Sequence, residues 1–196
     1  VPGRDVLLEP RAYTVIHDHH AVGELLGFLA YLGFGAKNFL EGRSFLTTAI
    51  GQKLFSDKVS IWDDAMDHTS LVRPFDYEGV PKKRTLLVEN GTARTMVTDS
   101  ATSPLLEVEN TGHALPAPST DGPHALHLHM APGDTSLADI IAGTRRGIFV
   151  RRFHYVNVVE PMSAVLTGMT RDGTFLVENG KIRRPVRSLR FTESLL

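Results

Sequence analysis

Thr85-Leu86-Leu87-Val88-Glu89-Asn90-Gly91-Thr92-Ala93 is an apolar run, a turn dipeptide and a second run. Asn-Gly suits a tight type I′ hairpin, because both central residues then need positive φ. The phrase returns as Phe175-Leu176-Val177-Glu178-Asn179-Gly180-Lys181-Ile182. Two such hairpins predict an antiparallel sheet. Shared turn chemistry accounts for the echo as readily as duplication does.

Outward from these hairpins the strand signals continue. Val59–Trp62, Gly147–Val159 and Ala164–Met169 read as strands, and so does Val6-Leu7-Leu8 before Pro10. In His124–Met130, Leu126 and Leu128 are expected on one face and His127 and His129 on the other. Helical signals are fewer. Val22, Leu25, Leu26, Leu29 and Leu32 recur at the spacing of a core-facing helix. Gly23, Gly27, Gly33 and Gly35 lower its propensity, which predicts a buried helix packed closely by a neighbour and ending near Gly33. Ser136 is placed to cap a short helix through Gly143, with Leu137, Ile140 and Ile141 buried. The expected fold is α+β. It is an antiparallel β-rich domain, barrel-like or of strongly curved sheets, around a buried Gly-rich helix, with residues 1–196 as one domain.

Composition narrows the function. The chain has 196 residues, 42% hydrophobic and 22% charged, with a formal net charge of −1. A packed core is expected, and a globally basic nucleic-acid binder is not. No cysteine is present, so thiolate ligands, disulfides and cysteine nucleophiles are excluded within these residues. The near-apolar run Leu25–Ala36 falls short of the roughly 18 residues of a spanning helix. No Ser-His-Asp context, dinucleotide fingerprint or P-loop occurs. Asp63 and Asp64 close a strand and are expected to be solvated. Between Arg145 and Arg190 lie ten basic residues against three acidic ones. The ordinary reading is a solvated sheet face; the alternative is a nucleic-acid or acidic-protein binding module.

Several phrases occur in order: Phe75-Asp76-Tyr77-Glu78-Gly79-Val80-Pro81, Ser103–Thr111 with Gly112-His113, Ala131-Pro132-Gly133-Asp134, Arg146-Gly147-Ile148-Phe149-Val150, Thr174–Gly180 and Pro185-Val186-Arg187. As a set they resemble the C-terminal region of the TldD/PmbA (TldD/TldE) metallopeptidase family. The resemblance implies a cytoplasmic zinc peptidase system that cleaves small unfolded peptides. It also implies a heterodimer of a catalytic TldD-like subunit and a TldE (PmbA) subunit, or a homodimer. It further implies an N-terminal α/β half and a C-terminal tail outside these residues. The family's His-Glu-x-x-x-His zinc helix aligns with Gly23-Glu24-Leu25-Leu26-Gly27-Phe28. Gly23 and Phe28 then stand at the ligand positions and Glu24 at the acid position. On this carry-over the chain is a TldE/PmbA-like, non-catalytic member that binds no cofactor itself, the zinc lying in its partner. His154, Tyr155 and Asn157 fall on the segment that would line the substrate chamber.

One alternative keeps catalysis in this chain. If the helix starts early, His17, His20 and Glu24 share a face, and His, His and Glu form a legitimate zinc set. His127 and His129 form a second pair, with His113 or His154 as a possible third ligand. The ordinary readings are a polar first turn and a polar strand face.

Overall fold

A computed structural model describes residues 5–196. In chain order the strands are β1 (Val15–His17), β2 (Ile61–Asp63), β3 (Thr85–Glu89), β4 (Thr92–Ala93), β5 (Leu128–Met130), β6 (Arg146–Glu160), β7 (Val165–Glu178), β8 (Lys181–Pro185) and β9 (Arg190–Ser194). The α-helices are α1 (His19–Leu29), α2 (Ala36–Leu40), α3 (Ser103–Leu106) and α4 (Leu137–Gly143). The mixture is α+β, as the residue patterns predict. No helix among the described residues is long and apolar enough to cross a membrane.

The chain forms two compact units. One holds residues up to Leu25, Gly133–Val159 and Val165–Leu195. Its sheet runs β1-β6-β7-β8, and β9 also pairs with β7. β1 lies parallel to β6, with Val15 opposite Ile148. β8 and β9 occupy successive stretches of β7, Phe175–Glu178 and Val165–Met169, both antiparallel. The core joins Leu8, Ala21, Ile148, Val150, Phe153, Leu176 and Val186, with Leu25 packed on it. Asn179 and Gly180 have φ of +50° and +73°, the turn that the Asn-Gly pair demands. Val6 makes only a single parallel bridge to Val186, so the expected first strand is reduced to one contact. Ser136 caps α4 as expected, its Oγ accepting from the Asp139 N–H at 3.1 Å. Of its expected apolar face only Ile141 is partly buried, packed against Ile16, Phe149 and Val177, while Leu137 and Ile140 are each 41% exposed.

The other unit holds Leu26–Pro132 and Glu160–Ala164, with Leu196. Its sheet runs β4-β3-β2-β5, antiparallel throughout. Neither sheet closes on itself, so the barrel-like option is corrected to two open sheets. The buried Gly-rich helix is corrected too. A Cβ built on Gly23 or Gly27 meets no heavy atom within 4 Å, and both residues are exposed. Close packing begins one turn later. α1 continues as a π-helical turn, Ala30–Phe34, where a Cβ on Gly33 would lie 2.0 Å from Phe45 Cε1. The glycine signal for tight packing was therefore correct at Gly33 and wrong at Gly23 and Gly27.

Candidate functional site

The helix that carries the motif positions begins at Asp18. Its carbonyl accepts from the Val22 N–H at 3.0 Å and its Oδ1 from the His19 N–H at 2.8 Å. Burial works to raise the Asp18 pKa. Hydrogen bonds from the His19 backbone and ring, with that ring's charge and the Arg151 contact, outweigh it and hold the carboxyl below its ordinary value. Gly23, Glu24 and Phe28 follow on α1, with Glu24 and Phe28 half-buried. A position without a side chain and a phenyl ring offer no side-chain metal-donor atom.

The alternative zinc sets are not assembled. Among the described residues no group of three or more His, Asp or Glu is disposed to hold an ion. His17 lies on β1 rather than in the helix, so its i, i+3 relation to His20 is lost. Its ring meets Phe153 edge-on at 5.5 Å. His20 packs on the His19 ring instead, at 4.1 Å. His129 stacks flat on Trp62 at 5.7 Å, and its Nε2 lies 3.3 Å from the Asp64 carbonyl.

His154, Tyr155 and Asn157 are exposed on β6. Tyr155 has φ +55° and is 74% exposed. This left-handed residue breaks the strand alternation, so His154 and Tyr155 both reach solvent. Asn157 Nδ2 donates to the Tyr155 carbonyl at 3.0 Å, which ties the three residues into one exposed segment.

The densest polar chemistry lies elsewhere, at Asp63. This residue is fully buried, contrary to the solvated position expected from its place at a strand end. His113 Nε2 donates to Asp63 Oδ1 at 2.9 Å, with both side chains wholly buried. The His127 N–H donates to Asp63 Oδ2 at 2.7 Å. His113 Nδ1 lies 2.9 Å from Thr111 Oγ1, which accepts in turn from the Thr98 N–H at 2.7 Å. Burial does not separate the leucines from the histidines along the segment leading into β5. Leu126 is 51% exposed, while His127 and His129 are partly buried. Leu128 is partly buried as well, and the His129 ring lies on Trp62 of β2.

Burial alone would raise the Asp63 pKa. The His113 hydrogen bond and charge, the His127 N–H and the Lys82 charge together hold it below the usual carboxylate value. Burial pushes the Lys82 ammonium and the His124 and His127 rings the other way for a base, downward. The signs agree at low pH. A histidine lowered by folding opposes protonation, so stability is lost as pH falls through the ordinary 6.5 toward the folded value. A lowered Asp63 contributes stability that is present above 3.8 and lost as pH falls below it. Urea midpoints measured from pH 8 down to pH 3 are expected to fall in two stages, near those two ordinary values. A midpoint flat between pH 7 and pH 5 would contradict the histidine assignment.

Sequence reasoning missed Asp63 because strand-end aspartates are usually hydrated. The usable signal was the buried-type alternation of Ile61-Trp62-Asp63 on β2, together with a histidine in Gly112-His113.

Residues 10–196 match the family model described as the PmbA/TldA metallopeptidase C-terminal domain. A metalloprotease of Methanothermobacter thermautotrophicus is 26% identical over 194 residues, covering 98% of this chain and 40% of that protein. A metalloprotease TldD homolog of Buchnera aphidicola is 30% identical over 156 residues, covering 76% of this chain and 31% of its own length. The crystal structure of TldE from Thermococcus kodakarensis shares the fold with a TM-score of 0.87 at 22% identity, over 98% of this chain and 44% of that one. The chain thus spans less than half the length of these relatives. The ordered phrases from Phe75 to Arg187, the two open sheets and the match over residues 10–196 converge, and the chain belongs to the PmbA/TldA (TldD/PmbA) metallopeptidase family, of which it carries the C-terminal domain.

Proposed function

We propose that this chain is the C-terminal domain of a TldE/PmbA-like, non-catalytic subunit of a cytoplasmic metallopeptidase that cleaves small unfolded peptides. The carrying observation is the chemistry at the motif positions. Zinc hydrolases use about three protein ligands and an open position for water. Gly23 and Phe28 supply no ligand, so Glu24 stands at no metal site whose water it could deprotonate. These residues do not fit a catalytic zinc, so the ion belongs to a TldD-like partner and no hydrolytic step runs through this chain. Its own contribution is to bind and shape. The open face at Gly23 and Gly27 leaves room for a partner or peptide backbone beside α1. The exposed His154-Tyr155-Asn157 segment offers a ring, a phenol and an amide to an extended peptide. Strand-edge hydrogen bonding would give such binding little sequence selectivity.

Two measurements test this reading. The intact protein alone is expected to leave an unfolded peptide uncleaved, and cleavage is expected to appear on adding a TldD-like partner. In that complex Glu24→Gln is expected to change kcat/KM by less than about twofold, because no transition-state contact is lost. Chelator-sensitive cleavage by the protein alone, abolished by His17→Ala/His20→Ala, would overturn the proposal in favour of a self-sufficient zinc peptidase.

A second reading rests on the basic residues of the first unit. Arg145, Arg146, Lys181, Arg183, Arg184, Arg187 and Arg190 are exposed. Arg151, Arg152 and Arg171 make only long ion pairs of 3.4–3.7 Å with Asp18 or Asp172. An acidic partner surface or nucleic acid would meet these charges. Binding that weakens steeply with salt, in the absence of any peptidase partner, would favour it.

A further inference from the structure

The network around Asp63 contains more donors than acceptors. Five chain segments meet there through backbone hydrogen bonds. Asp64 N–H donates to the His127 carbonyl at 3.0 Å, Arg73 N–H to the Ala65 carbonyl at 2.9 Å, and Lys82 N–H to the Pro74 carbonyl at 3.0 Å. The Lys83 N–H reaches the Thr111 carbonyl at 3.1 Å, and the His124 N–H reaches the His113 carbonyl at 3.1 Å. Arg73, Lys82, His113, His124 and His127 are thereby gathered around two carboxylates.

Both carboxylates are already engaged. Asp63 accepts from His113 and from the His127 N–H. Asp76 Oδ1 accepts from the Glu78 and Val80 N–H groups at 2.9 Å each, and its Oδ2 accepts from the Ala114 N–H at 2.9 Å. Lys82 is only 9% exposed, yet among the described residues no hydrogen bond or ion pair engages its ammonium. Arg73 has no carboxylate partner either; its guanidinium lies 4.9 Å over the exposed Tyr77 ring. His127 Nδ1 is buried without a hydrogen-bond partner. Burial lowers the Lys82 pKa, the Asp63 charge offsets part of that, the Arg73 charge adds to it, and both cations oppose protonation of the half-buried His127 ring. A buried ring nitrogen left without a partner is costly, and the two cations beside it have no carboxylate within ion-pair distance among the described residues.

We propose that Lys82, Arg73 and the His127 ring form a binding site for a small oxyanion, a carboxylate or a phosphate. A bound oxyanion would accept from the Lys82 ammonium and from Arg73, whose planar fork matches two oxygens of either group. It would give His127 Nδ1–H an acceptor. It would also relieve the repulsion between the two cations. Asp63 and His113 would then act as the fixed floor of the site, setting the His127 backbone without touching the ligand. The site uses no residue of α1 and does not depend on the peptidase reading.

Titration calorimetry on the intact protein tests it with four probes: sodium phosphate, sodium acetate, tetra-alanine with a free C-terminus, and tetra-alanine amide. Saturable binding of at least one oxyanion probe is expected, with no binding of the amide. Phosphate alone assigns a phosphate ligand; acetate and the free-acid peptide together assign a peptide carboxylate. Lys82→Met and Arg73→Gln are each expected to weaken that binding at least about tenfold, the loss of one charge-assisted hydrogen bond. Arg152→Gln, in the other unit, is expected to leave it unchanged. Near-ultraviolet circular dichroism checks that each variant is folded. If Lys82→Met does not fold, Arg73→Gln decides, since Arg73 is half-exposed and its loss empties no core. No saturable binding by any probe, or affinity unchanged in a folded variant, overturns the proposal.

Discussion

Asp63→Ala is expected to destabilise the protein by about 2–6 kcal/mol, because one substitution strips two buried donors of their acceptor. The substitution leaves His113 Nε2 and the His127 N–H without their acceptors in the buried interior. Each unsatisfied buried group costs on the order of 1–3 kcal/mol. The neighbour supplies the control. Asp64 accepts from the Met66 N–H at 3.0 Å and lies 3.6 Å from Arg84, half-buried at the surface. Asp64→Ala is expected to cost about 1 kcal/mol, the value of one exposed turn hydrogen bond. Urea denaturation at pH 7 reads both. An Asp63→Ala midpoint within error of that of Asp64→Ala would show that the pair does not stabilise the fold. The double variant Asp63→Ala/His113→Ala is expected to lose less than the sum of the singles, because the two residues share one interaction.

That contrast shows what a sequence can and cannot disclose. Asn90-Gly91 and Asn179-Gly180 were legible because their backbone requirement is local: two positive φ values in succession leave few residue choices. Ser136 was legible for the same reason, since capping needs only its own side chain and a backbone N–H three residues on. The long extent of β6 followed from a continuous run of β-branched and aromatic residues. Asp63 and Asp64 were not separable, because their difference arises from His113, which is 50 residues away. Long-range pairing leaves no periodic trace. The first helix misled in a related way. A glycine reads identically whether it admits a packed neighbour, as Gly33 admits Phe45, or faces open space, as Gly23 does.

The candidate site was legible unevenly. The degenerate motif positions were recovered only through family resemblance, since Gly-Glu-x-x-x-Phe carries no chemical signature of its own. His17, His20 and Glu24 looked like a ligand set on the premise of one continuous helix. The chain instead passes from β1 into α1 between His17 and His19, and Asp18 uses its side chain to start the helix. A capping residue there is incompatible with His17 lying on the same helical face.

Gly91→Ala is expected to be the other severe substitution, and Gly42→Ala separates its two causes. Both glycines have positive φ, +79° and +67°. At either one, an alanine in the left-handed region costs roughly 1–2 kcal/mol. A Cβ on Gly42 meets nothing within 4 Å, so that cost is all that is expected there. On Gly91 the same atom would lie 2.1 Å from the Phe55 carbonyl oxygen and 2.7 Å from that of Ser56. Neither oxygen can swing away cheaply. The Gly91 carbonyl accepts from the Leu54 and Phe55 N–H groups at 2.9 and 3.0 Å, and the Gly91 N–H donates to the Val59 carbonyl at 2.7 Å. Displacing that segment adds an overpacking cost of about 1–3 kcal/mol, for a total of about 2–5 kcal/mol. The consequence reaches the buried pair. Gly91 closes the β3–β4 turn, β3 pairs Thr85 with Asp63 on β2, and β2 pairs Asp63 with Leu128 on β5. A shift of the turn therefore moves the strand that holds the carboxylate against His113. Equal midpoints for Gly91→Ala and Gly42→Ala would mean that φ alone governs both positions, and that the loop from Phe55 to Val59 yields without resisting the added methyl group.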